Sequence, residues 1–570
     1  MLSDQRVRAM LPAMGLHPGD HVTGEVARNI CLRTGSKAMI FGSIVSLGNQ
    51  YVIDLSATDC QTRDSLAVEQ VRASRKEDVL ESLDNASRDL RSKLGESLPS
   101  IEKFYVPFQD AATPSVEAFQ SFTTGVLTMY SDPQASIPFY QRAIQLDPNF
   151  ARAYVSLSAA YATLGEYQQS VAMAKRAYQL RERSSEPERF LIDSTYFMLV
   201  TQDLEGAQNV LTLWARTYPR QHLVHVFLTV NYTSRGFYAE SLAEAQEALR
   251  RAPVPNPIKY GNLMGCYIAL NRLSEAKSAY QEARTLHLDD GYVRLQRYNI
   301  AFLERDVPEM SNQIHWAESL PPMEGDTFFA ARADSEAFSG NLRKARDLTR
   351  RAVELARRGG KTETAAQWQL ASAFREAEFG SLQRGRDEAA SALALSPTRD
   401  VQVLAGLAFA RSGDLQRAQA SANGIAKQFP ENAVIQHYWL PTIRGAIELG
   451  RGHFDKSLQF LERTRGYEMS SIPPLRGALY PVYLRAQAYL RQGRGLEAAA
   501  EFQAILDHPG ITLSFPTGVM ARLGLARSYA LQGDRPKARA AYQQFFAIFK
   551  EADPAFAPLK EARSEYQRVK

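Results

Sequence analysis

Apolar residues recur along most of this chain at intervals of three and four, the period of an α-helix with one buried face. The pattern breaks at regularly spaced turns. At seven of them a glycine is followed five residues later by alanine or serine: Gly165/Ser170, Gly236/Ser241, Gly340/Ala345, Gly413/Ala418, Gly452/Ser457, Gly493/Ala498 and Gly533/Ala538. The segment VSLSAAYATLGEYQQSVAMAKRAYQL indicates what this spacing does. Leu157 and Tyr161 share one face of a first helix, Gly165 permits the turn, and Ser170, Ala174 and Ala177 give the second helix a thin face. Helices cross closely only where side chains are small, and Tyr154, Tyr161 and Tyr167 fill the space that remains.

Small residues placed in register run Ser136, Ser170, Ala207, Ser241, Ala276, Ser311, Ala345, Gly385, Ala418, Ser457, Ala498 and Ala538, in steps of 33 to 41 residues. Pro148, Pro219, Pro253, Pro397 and Pro430 stand where second helices should stop. The expectation is a mainly α fold, a solenoid superhelix of about twelve helix-turn-helix units over residues 117–560 with a tail at 561–570. The weakest units lie around Ser311, where PEMSNQIHWAESL lacks a small-residue stripe, and Gly385.

Between residues 38 and 73 the period changes from 3.6 to 2. KAMIFGSIVS, YVIDLSATDC and LAVEQVRAS read as a three-stranded antiparallel meander with turns at Gly48-Asn49 and near Arg63-Asp64, flanked by helices at about 23–34 and 75–96. Residues 1–98 thus form a small α/β domain, joined to the array by a linker at 99–116. A further helix is expected from Leu2 to Met14. A sheet of this size leaves an edge that needs a partner or a cover.

On these spacings the chain resembles the tetratricopeptide repeat family over roughly residues 117–555. The order RTGSKAMIFGSIVSLGNQYVIDLSATDCQTRDSLAVEQVRASRKEDVLESL is similar to the small α/β domain before repeat arrays in bacterial, acidobacterial-type serine/threonine protein kinases and winged-helix regulators, over about residues 1–110. Those relatives have an earlier strand and helix before the LSDQ segment, so the resemblance implies a truncated or separately started carboxy-terminal region. It does not carry kinase activity: the chain has no Gly-rich phosphate loop, V-A-I-K lysine, H-R-D loop or D-F-G site, and phosphoryl transfer needs those parts together.

Lys plus Arg exceed Asp plus Glu by 67 − 62 = 5 over 570 residues, too little to imply direct nucleic-acid binding. The arginine-rich stretch Arg343 to Lys361 has Ala345, Leu348, Ala352, Val353 and Ala356 on one helical face, so its cations read as a solvated outer face. Cys31, Cys60 and Cys266 are odd in number and lack C-x-x-C spacing, which reads as isolated thiols. His222 and His225 stand three apart on a helix but lack a third ligand, and they read as packing residues. No cofactor, metal site or catalytic residue is expected, and no apolar run is long enough to span a membrane or to act as a secretory signal, which points to the cytoplasm.

In tetratricopeptide arrays the concave wall is lined by fixed places of each first helix. Those places hold Tyr196 and Val226 in early units and Trp439, Tyr480, Tyr483, Gln487 and Arg491 in later ones. The lysine and asparagine of a carboxylate clamp are missing from all units, whereas the aromatic and apolar mixture suits an extended or helical protein segment. The same places also suit packing between adjacent turns of the array. The expected function is a non-catalytic scaffold for a protein or peptide partner. Two alternatives are the sensor or recruiting half of a kinase signalling protein and the partner-binding module of a transcriptional regulator. The sequence leaves the oligomeric state open.

Overall fold

The computed structural model describes residues 10–11, 14, 22–48, 50–96, 113–129, 132–219, 221–251, 256–320, 325–471 and 479–569. Most of the helix expected at Leu2–Met14, most of the linker and Pro253 lie outside these residues. The chain divides into two compact units: Met1–Tyr161, Ala172–Thr195 and Arg251–Pro255 form one, and Ala162–Val171, Tyr196–Arg250 and Asn256–Lys570 the other.

The first unit contains the meander. β1 (Ala38–Leu47), β2 (Gln50–Asp59) and β3 (Ser65–Ala73) pair antiparallel in the order β1-β2-β3, between helices Gly24–Arg33 and Val79–Lys93. Arg63 takes φ 69° at the second turn. Leu55, Ala57 and Ala67 pack on Ala86 and Leu90 of the following helix. Opposite Ile53, which is buried, Ile44 of β1 is 53% exposed, so this helix covers β2 and β3 better than the edge strand. Val116 packs beside Ile53, Ala73 and Val79, and Lys76 pairs with Glu117, which joins the sheet to the first repeat helix, Val116–Met129. Cys31 and Cys60 form a disulfide, correcting the reading as isolated thiols; it ties helix Gly24–Arg33 to the end of β2, with Cα atoms 6.2 Å apart across 29 residues of sequence. Cys266 is a buried free thiol.

The second unit is a stack of helix pairs in a solenoid-like tetratricopeptide arrangement. All seven predicted turn glycines have φ between 77° and 85°, the left-handed region. Gln202, Asn271, Arg305 and Gly380 occupy the same place in the other turns, each two residues before its second helix. This geometry moves one unit's register: with Arg305 at the turn, the small-residue place falls on Met310 rather than Ser311, and Ile314 and Ala317 are the buried face. Elsewhere the predicted small residues are buried. Ser241 and Ser457 each donate a hydrogen bond to the carbonyl twelve residues back, on Thr229 and Gly445, so a serine satisfies itself at a helix crossing. A Cβ on Gly524 would lie 2.3 Å from the Phe502 ring. The segment read as a tail continues helix Ala557–Val569, in which Ala562 is buried.

Turns of this unit also meet residues 195 to 239 positions later in the chain. Thr364 Oγ1 donates to the Leu164 carbonyl at 2.8 Å, Tyr238 OH to the Met469 carbonyl at 2.8 Å, and Asn271 Nδ2 to the Asp507 carbonyl at 3.1 Å. The Asp553 N–H donates to the Gly340 carbonyl at 3.1 Å. These bonds join repeats about six units apart in sequence, well beyond the nearest-neighbour contacts of an open solenoid.

Candidate functional site

The proposed wall residues separate into two groups by burial. Trp439 ends a π-helical turn, Ile435–Trp439, and packs edge-on against Tyr438 with ring centroids 4.7 Å apart. Tyr480 and Tyr483 open helix Tyr480–Arg491. These three side chains are at most 2% exposed, so they pack within the array and offer no surface. Tyr196, Val226 and Gln487 are half-buried and Arg491 is exposed. Tyr196 meets Phe197 edge-on at 6.1 Å, and Val226 precedes the 40%-exposed Val230 on helix His222–Arg235. The Oε1 atom of Gln487 is buried and has no hydrogen-bond partner among the described residues.

What holds the buried tyrosines is an ion pair. Arg411 donates to Glu378 from Nε at 2.6 Å and from Nη2 at 2.8 Å, and the Tyr480 hydroxyl donates to the same carboxylate. Burial works to raise the Glu378 pKa, but the Arg411 charge and the hydrogen bonds prevail and hold it below the usual value. Burial also drives the phenols of Tyr480 and Tyr483 well above theirs. Arg485, 1% exposed, is clamped in the same way between Glu468 and Glu501.

A π-helical turn at Phe197–Thr201 has a positional consequence. Such a turn disturbs the α-helical ladder and frees carbonyls. Those of Leu199 and Val200 accept from Arg399 Nη1 at 2.9 Å and Asn432 Nδ2 at 3.1 Å. Close by, two glutamates exchange caps between distant helices: Gln168 N–H donates to Glu363 Oε2 at 2.8 Å, and Thr364 N–H donates to Glu166 Oε1 at 3.2 Å. Burial, then the charge of Asp400, pushes Glu363 up to about 7.

His225 Nδ1 lies 2.6 Å from Glu244 Oε2, and burial, with Lys259 and His225, lowers His222 to about 4. Among the described residues no group of His, Cys, Asp and Glu is arranged to hold a metal ion. On helix Leu342–Arg358, Arg346 pairs with Glu376, Arg350 with Asp347, Arg351 with Glu318 and Arg358 with Glu354, so these four cations are met by carboxylates. Among the described residues no helix is long and apolar enough to cross a membrane.

A tetratricopeptide repeat family model matches residues 483–551. Among solved structures the chain is similar to yeast Tom70, with 12% identity, 74% of this chain and 95% of that one covered, and a TM-score of 0.30. It is also similar to the APC/C hetero-tetramer Cut9-Hcn1, with 11% identity, coverage of 79% and 89%, and a TM-score of 0.33. No curated protein matches the sequence. The fold and the matched repeats place the chain among helical-repeat architectures of the tetratricopeptide type, whose common use is to bind other proteins.

Proposed function

We propose that this protein is a non-catalytic scaffold that holds a protein segment against the accessible part of its concave wall. The observation that carries the reading is the repeat stack itself, in which Tyr196 and Val226, read from the sequence at wall places of consecutive first helices, are half-buried and keep part of their apolar surface accessible. Val230, one helical turn beyond Val226, extends that surface. Gln487 and Arg491 offer polar contacts at the same places of a later unit. An apolar anchor strip with few polar contacts suits an amphipathic or extended segment. The α/β part, packed on the first repeat helix, would close an end that otherwise exposes an apolar face.

The test places a photo-crosslinking amino acid at Val230 in the full chain, in its native cells, with and without Val226→Glu. A defined adduct that disappears in the variant, at unchanged helix content and melting temperature, supports the wall as the binding surface. The same adduct at the same yield sinks it. An adduct partner carrying a kinase or winged-helix domain would further place the scaffold in signalling or in transcriptional control.

A further inference from the structure

Helices Gly291–Glu304, Val307–Glu318 and Asp326–Phe338 contribute one side of a cleft of about 770 Å³, and residues 505–551 contribute the other. That volume falls in the range of small-molecule sites. Phe302, Ile314, Phe338 and Ile548 give it apolar lining. Its charges are unbalanced: Arg305, Arg332, Lys344, Arg522 and Lys550 face only two carboxylates, Glu336 and Glu551. Glu336 is already held by Lys344 at 2.5 Å and Arg332 at 3.8 Å.

Arg522 is half-buried and differs from other buried or half-buried arginines of this chain. Arg375, Arg399, Arg411 and Arg485 are each paired with a carboxylate, on Asp334, Asp400, Glu378 and Glu501 respectively. Arg522, on helix Pro516–Leu531, donates from Nη1 to the Gly518 carbonyl at 2.7 Å, and among the described residues no carboxylate pairs with it. Arg305 and Lys550, also lining the cleft, have no carboxylate partner among the described residues either. Burial, then the like charge of Arg305, lowers the Arg522 pKa, which registers an environment short of negative charge. A guanidinium partly withdrawn from water without a counter-charge carries a desolvation cost, and an anion with an apolar body relieves that cost while filling the cleft.

We infer that the cleft between residues 298–344 and 505–551 binds a small amphipathic carboxylate, with its apolar body along Phe302, Ile314, Phe338 and Ile548 and its carboxylate on the Arg522 guanidinium. A planar guanidinium receives a carboxylate through two parallel N–H donors, and the remaining donors of Arg522 are available for it. The site is independent of whichever protein segment the wall holds.

Isothermal titration calorimetry of the full-length protein with dodecanoate, below its micellar concentration, tests the assignment against decanol as a neutral probe. The expected result is one site per chain for dodecanoate, with affinity weakened at least ~10-fold by Arg522→Gln while decanol binding is unchanged. If Arg522→Gln fails to fold, the paired variant Arg305→Gln/Lys550→Gln, at exposed positions, makes the same comparison, with a smaller loss expected for dodecanoate alone. Absence of dodecanoate binding to the unaltered protein overturns the inference. So does decanol binding as tight as dodecanoate, or equal dodecanoate affinity in a folded Arg522→Gln variant.

Discussion

Glu363 is 2% exposed, with Asp400 and Glu166 among the acids that act on it, and burial raises its carboxyl from an ordinary 4.5 to about 7. A raised pKa means that the folded protein binds this proton more tightly than the unfolded chain does. The stabilisation is therefore complete below about pH 4.5 and is lost as pH rises through about 7. The slope from this group is at most ~1.4 kcal/mol per pH unit. In Glu363→Gln the amide still accepts from the Gln168 N–H and does not titrate. Urea unfolding of both proteins at pH 5 and pH 7.5 should show unaltered protein losing stability relative to the variant on going to the higher pH. Parallel pH profiles would count against a buried, protonating Glu363. The sequence gives no sign that Glu363 and Glu166 meet, because the Gln168–Glu363 bond joins residues 195 positions apart.

Turn glycines differ in what surrounds them, although the sequence pattern treats them as equals. Gly493 has φ 79° with nothing within 4 Å of an added Cβ, whereas at Gly236, φ 82°, an added Cβ would lie 2.7 Å from the backbone of Met469. Gly493→Ala should cost only the left-handed strain of an L-residue, about 1–2 kcal/mol. Gly236→Ala should cost that and also displace the Met469 segment, which accepts a hydrogen bond from Tyr238. Urea midpoints should rank the unaltered protein above Gly493→Ala and Gly493→Ala above Gly236→Ala, and equal losses would refute the distant contact. The helix with Ile314 and Ala317 buried shows the limit of pattern reading at this scale. Its turn residue is Arg305 rather than glycine and its small-residue place is filled by Met310, so both signals are missing at once and the reading slips by one place, whereas Ala207 and Ala276 keep the register after the non-glycine turns at Gln202 and Asn271.

Bonds between repeats about six units apart give the second unit a stability that nearest-neighbour packing does not supply. Each such bond is worth about 0.5–1.5 kcal/mol net, so a set of them ties early repeats to late ones. Truncation after residue 451, which removes Met469 and Asp507 but leaves the immediate neighbours of the turns at 232–241 and 267–273, should raise amide exchange at those turns. Exchange unchanged from the full chain would show that only adjacent repeats matter.

The sequence by itself determined the helical period, the glycine turns and the three-stranded meander, with strand ends displaced by a residue, because each depends on residues a few positions apart. Seven glycines with φ near 80° and a sheet running from Ala38 to Ala73 follow from that local chemistry. The fate of the wall residues was decided only by tertiary structure. Tyr483 shares its sequence place with the half-buried Val226, and Trp439 and Tyr480 stand at another wall place; what buries all three is the approach of distant helices, with Glu378 and Arg411 brought to Tyr480 from roughly 100 and 70 residues away. The Cys31–Cys60 bond, and the lack of a carboxylate partner for Arg522 among the described residues, are of the same kind. Local periodicity sets which face of a helix is apolar, but whether that face meets water, a neighbouring helix or a ligand depends on where the chain returns after many residues.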